Sequence, residues 1–261
     1  MTRLAGALAL VVLLAGAAAG AEDDAIDPDR PDLSFSAKTV GAGRVQLEAG
    51  ALLERTRLAG EPTERRLAAE TSLRIGVGDR GELRIDAEPI VRLRGAEPAT
   101  DVGDFRLGAK WRFLDASPEV GRLALALLPV VKLPTAPTPI GTEKADYQLL
   151  VLASFELPAS FAVDANAGVA AIGQTRPSGH LVQAQVSASL SRKLGAAVTS
   201  FGEIFYASRE EWSGRDQVVV DAGVVWTVMP DLALDAAVGT SLYGRVPDLF
   251  VRAGGSVRFG R

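Results

Sequence analysis

From about residue 44 to the C-terminus, apolar and polar residues alternate with a period of two in segment after segment, which is the signature of strands with two unlike faces. In 104–114, Phe105, Leu107, Ala109, Trp111 and Phe113 alternate with Asp104, Arg106, Gly108, Lys110 and Arg112. The same beat runs through Val45, Leu47, Ala49 and Ala51, through Tyr147, Leu149, Val151, Ala153 and Phe155, and through Val218, Val220, Ala222, Val224, Trp226 and Val228. Past the N-terminal leader the longest clearly apolar run, Leu123 to Val131, is too short for a membrane-spanning helix. If this chain enters a bilayer, it must do so with strands.

About 12 segments of this kind begin near Arg44, Leu67, Glu82, Asp104, Arg122, Ala145, Phe161, Leu181, Ala196, Gln217, Leu232 and Leu249. Most have the length a tilted strand needs to cross a bilayer, ~9 to 11 residues or slightly more. Their connections alternate in length. Short ones fall near 78–80, 116–121, 158–160, 192–195 and 229–231, and longer ones rich in Gly, Pro and charge near 56–66, 95–101, 135–144, 173–180, 208–216 and 244–248. The expected fold is therefore all-β, a transmembrane antiparallel up-and-down barrel of about 12 strands with both termini on the short-turn side.

A soluble β protein has the same period with its faces exchanged, so alternation alone does not orient the sheet. The aromatics do. Trp111, Phe113, Phe155, Phe161, Trp226 and Phe259 share the apolar face and sit near short turns or the C-terminus, as a girdle at one membrane interface would. For the second girdle the candidates are Tyr147 and Leu249-Phe250.

Residues 1–21 read as a cleaved secretory signal peptide: Arg3, an apolar run from Leu4 to Ala19, and the small-x-small triplet Ala19-Gly20-Ala21. A retained anchor is the rival reading. Residues 22–42 form an acidic, Pro-containing arm, and 43–261 the barrel. With no cysteine the fold has no disulfide and no thiolate metal site. The 28 basic and 32 acidic residues are spread along the chain, which argues against nucleic acid as a partner. The expected location is the bacterial outer membrane. The expected partners are its lipid and lipopolysaccharide, the barrel-assembly machinery and a small-molecule cargo.

On the lipid face a basic residue at mid-bilayer would cost roughly 2 to 4 kcal/mol, so the charged face must line the lumen. Its candidates are Glu48, Arg74, Glu82, Arg84, Asp86, Glu88, Arg106, Lys110, Asp146, Asp164, Asp221 and Arg252. Among these, Glu82, Asp86 and Glu88 facing Arg74, Arg84 and Arg106 make either a selectivity ring or a set of wall-stiffening salt bridges. In the arm, Pro28 and Pro31 remove two backbone donors. One reading folds Asp29, Arg30 and Asp32 into the periplasmic mouth as a plug, with Arg30 on lumen carboxylates. The other leaves a solvated tether.

The stretch from Ala25 to Ala51, AIDPDRPDLSFSAKTVGAGRVQLEAGA, resembles the opening of the transporter-like outer-membrane family of the phenol-degradation meta-pathway type. The resemblance extends to the hairpin from Arg74-Ile75-Gly76 to Glu82-Leu83-Arg84, to Gly103–Lys110, and to Leu127-Leu128-Pro129 with Leu133-Pro134-Thr135. It implies a channel for passive uptake of small, often hydrophobic or aromatic molecules. A structural barrel without transport is the alternative. One departure is the C-terminus, Phe259-Gly260-Arg261, which displaces the terminal aromatic that the assembly machinery is thought to read.

His180 is the only histidine, so a multi-histidine metal site is excluded and an outer-membrane hydrolase would have a single base, beside Ser178. A solvated loop histidine is the plainer reading. The sequence proposes no catalytic residue, metal or cofactor; Gly76-Val77-Gly78-Asp79 is too short for a phosphate cradle, and no calcium loop is present.

Overall fold

The computed structural model describes residues 25–57, 60, 62–116, 122–244 and 247–260, so the leader expected at 1–21 lies outside the described residues. Twelve long strands are wound as one closed sheet: β1 (Val45–Thr56), β2 (Glu64–Val77), β3 (Gly81–Arg94), β5 (Phe105–Leu114), β6 (Leu123–Leu133), β7 (Asp146–Leu157), β8 (Phe161–Gln174), β9 (Gly179–Lys193), β10 (Val198–Ala207), β11 (Gln217–Met229), β12 (Leu232–Tyr243) and β13 (Leu249–Phe259). A three-residue strand, β4 (Ala99–Asp101), pairs only with Val91–Leu93 of β3. Each long strand is antiparallel to its neighbours in sequence, and β13 returns to β1 with Phe259 opposite Val45, which leaves no free edge.

Every segment expected from the alternation is a strand, and both chain ends of the barrel lie on the short-turn side. The short turns are tight. Leu157 pairs with Phe161 across Pro158-Ala159-Ser160, with Ala159 and Ser160 in the left-handed region, and Met229 pairs with Leu232 across two residues. Within the stretch expected to be a loop at 95–101, the structure places β4, which lies beside the loop end of β3. A bulge opposite Glu70 shifts the phase of β3 near Pro89, whose nitrogen cannot join a ladder, and turns Val91 inward.

The faces are resolved by exposure. Trp111 is 56% exposed, Trp226 50% and Val182 72%, whereas Glu48 is 0%, Glu82 1% and Arg74 2% exposed. A soluble fold would bury the first group and wet the second, so this barrel presents hydrocarbon outward and charge inward, as a membrane barrel must. Phe155 and Phe259 stand outward with Trp111 and Trp226 near the short turns. At the loop end Tyr147, Phe105 and Tyr243 are exposed on the outer face. Phe250 corrects the second girdle: it is 5% exposed and packs with Leu52, Ala68, Val91 and Val219 inside the barrel, because the β1–β13 register turns even-numbered residues of β13 inward.

Candidate functional site

The lumen is occupied by the chain's own arm. Ile26 N donates to Pro230 O (2.7 Å) at a short turn, so the arm enters from the short-turn end. It climbs to Asp29–Phe35, then descends to Val40, whose amide donates to Glu82 (2.9 Å), and reaches β1 at the end where it began. An extended segment inside a barrel has no ladder for its backbone, and a buried unpaired amide is expensive. Lumen side chains meet that need. Glu48 accepts from the amides of Asp29 (3.2 Å) and Arg30 (3.1 Å), Glu203 from Leu33 (2.8 Å), and Ser154 Oγ from Ala37 (2.8 Å). Asn166 closes a reciprocal pair with Phe35, accepting from its amide at 2.7 Å and donating to its carbonyl at 2.8 Å.

Charge fixes the arm most firmly at Asp29, which is 5% exposed. Its Oδ2 contacts Arg84 Nη1, lies 3.2 Å from Lys110 Nζ and 3.5 Å from Arg74 Nη1. Arg74 is itself clamped by Glu48 (2.9 Å) and by Glu82, which takes both Nε and Nη2 at 2.9 Å. Lys110 Nζ also donates to the carbonyls of Ser36 (2.9 Å) and Lys38 (3.1 Å). Burial alone would raise the Asp29 carboxyl, but Arg74, Lys110 and Arg84 outweigh it and hold it well below the usual carboxylate range.

Arg30 reaches Glu70 (2.9 Å) and Asp235 (3.4 Å) from the opposite side. It lies over Gly50 and Gly254, which face each other on β1 and β13; a β-carbon at either would press on its guanidinium. Asp32 has the contrary environment. Ser189 Oγ donates to it (3.1 Å), but burial, Glu203, Asp221 and Asp164 all push its carboxyl well above the ordinary range.

The remaining candidates are distributed around this core. Asp86 takes Arg84 Nε with both oxygens at 3.0 Å, Glu88 contacts Arg66, Asp146 takes Lys132 (2.8 Å), and Asp164 contacts Ser154. Arg252 donates to Pro31 O (3.2 Å) and lies 3.7 Å from Glu70. Both carboxylate oxygens of Asp221 are buried without a hydrogen-bond partner among the described residues, and the Arg106 side chain makes no hydrogen bond or ion pair with any of them. Sequence reasoning missed Arg66, Asn166 and Ser154 as members of the site. All occupy inward positions of the alternation, which marks a face but not a height along the barrel.

Above Asp29–Phe35 a cavity of about 870 Å³ opens toward the long loops. The arm is its floor. Its walls carry Arg66, Arg84, Arg106 and Lys132 together with Leu128, Val130, Leu150 and Phe205, and Trp212 stands at its rim. His180 lies outside it, its ring 5.9 Å from Tyr147, and no hydrogen bond ties it to a serine or carboxylate among the described residues. Among those residues, no group of three or more His, Cys, Asp or Glu could hold a metal ion.

A family model described as "Putative MetA-pathway of phenol degradation" matches residues 28–259. No curated protein matches the sequence. Among solved structures, the chain is similar to the COG4313 outer membrane channel from Pseudomonas putida F1, at 11% identity over 90% of this chain and 100% of that one, with a TM-score of 0.69. It is also similar to the NanC porin (9% identity, 81% and 98% covered, TM-score 0.55). The translocator domain of the autotransporter NalP from Neisseria meningitidis follows at 13% identity, 84% and 90% covered, TM-score 0.51. Identities this low establish a common outer-membrane barrel fold and leave the cargo open.

Proposed function

The chain belongs to the phenol-degradation meta-pathway family of outer-membrane barrels, and from that premise we propose that it is a channel for passive uptake of small, hydrophobic or aromatic molecules, plugged on its periplasmic side by residues 25–42. The observation that carries this reading is the cavity of about 870 Å³ that opens toward the loops and is floored by Asp29–Phe35. A volume of that order suits small-molecule ligands. Its aliphatic and aromatic side chains, set among many charged ones, suit solutes that join an apolar body to a polar group. The lumen charges position the arm, and the arm sets what passes.

Swelling of proteoliposomes tests the proposal. Chains carrying the arm are expected to pass small solutes slowly, and chains with the arm loosened to pass them faster. A structural barrel without transport is the second reading, favoured by the arm's polar contacts with strands on every side of the lumen. If loosening the arm leaves the vesicles impermeable, that reading stands and the channel does not.

A further inference from the structure

Resting on the channel reading, we propose that Arg106 makes the cavity selective for small organic carboxylates with an apolar body, such as single-ring aromatic acids. At one height of the wall, four neighbouring strands present Asp86, Arg106, Lys132 and Asp146 side by side. Three of these charges are engaged. Asp86 is spent on Arg84, and Lys132 is held between Asp104 (3.2 Å) and Asp146 (2.8 Å). Arg106 is exposed within the cavity, and none of the described residues offers it a hydrogen bond or ion pair. Its planar fork of donors matches a carboxylate, and Asp86, Asp104 and Asp146 are committed to other cations.

Directly below Arg106 on β5 comes Gly108, over which Leu128 and Val130 fold; a β-carbon there would lie 3.3 Å and 3.4 Å from them. Those two pack with Leu150 and, from the arm, Phe35. A free guanidinium thus sits one step above an apolar patch in the same cavity. A carboxylate on Arg106 places the attached ring or short chain against Phe35 and the part of Val130 that reaches the cavity, while Leu128 is fully buried. A neutral solute of the same shape gains only the patch.

Binding is measured on the barrel in lipid nanodiscs with benzoate, benzyl alcohol and acetate, read through Trp212 at the cavity rim; Trp111 and Trp226 face lipid. Benzoate is expected to bind more tightly than either comparison compound. Arg106→Gln should weaken benzoate by about tenfold, the loss of one charge-assisted contact, and leave benzyl alcohol unchanged; Arg106→Lys should fall between. As an unpartnered side chain, Arg106 is not needed for folding, which heat-modifiable migration on gels verifies. The proposal is overturned if benzoate fails to bind, or if Arg106→Gln binds it like the parent protein. Benzoate bound through Arg106 without permeating proteoliposomes would sustain the site and remove the channel reading instead.

Discussion

Lys110 Nζ lies 3.2 Å from Asp29 Oδ2, and both side chains are shut away from solvent in the middle of a membrane barrel. An ammonium in that position depends on its partners, because breaking a buried pair by removing one member typically costs about 3 to 5 kcal/mol. Asp29 serves Lys110, Arg74 and Arg84 at once. Asp29→Asn should therefore loosen the whole climb of the arm. Hydrogen exchange across residues 29–40 is expected to accelerate and single-channel conductance to rise; parental values of both would show that Asp29 is not the anchor.

Gly50 gives the arm room. On a strand interior glycine is a weak choice, and here the absent side chain is where the Arg30 guanidinium lies. Gly50→Leu should expel Arg30 from Glu70 and Asp235, and it should also shift β13 locally, because a β-carbon here lies 2.6 Å from the Ala253 carbonyl. Folding into bilayers is expected to proceed and conductance to increase. A closed channel in this variant would mean that the seat of Arg30 does not govern the arm.

The strands were legible because each wall residue meets either lipid or lumen, and that binary choice is written directly in the period of two. Phe250 was misread because an aromatic near a loop signals a girdle only if it points outward, and one step of register decides that. The arm's acidic, Pro-containing composition stood out in the sequence. Its partners did not: Asn166, Glu203 and Ser154 are more than a hundred residues away from Phe35, Leu33 and Ala37 in the chain. Only closure of the barrel brings them together.

Asp32 makes seating of the arm dependent on pH. Its carboxyl is raised in the seated state, first by burial and then by Glu203, so the seated arm holds this proton more tightly than the free arm. A raised acid loses stabilisation as pH climbs from the ordinary carboxylate value toward the raised one. Asp29, shifted the opposite way, loses its contribution only on acidification. Raising the pH from weakly acidic to neutral should accordingly loosen the Asp32 end of the arm. Asp32→Asn should weaken this dependence and strengthen exchange protection of residues 31–35 at neutral pH; a parental pH profile in the variant would refute the assignment.

The orientation of the wall can be tested with a matched pair on β7. Val151 is 44% exposed on the outer face near the middle of the strand, whereas Gln148 lines the cavity. Arginine at the first position must enter hydrocarbon, at a cost of about 2 to 4 kcal/mol at mid-bilayer. At the second position it meets water and the Gln148–Gln185–Gln183 amide ladder, which can rearrange around it. Denaturant titration of barrels folded into lipid should thus show a large loss of stability for Val151→Arg and a small one for Gln148→Arg. Equal losses, or the reverse order, would mean that water and not lipid covers the outer face. The lumen, the arm within it and the permeation role would then all have to be reassigned.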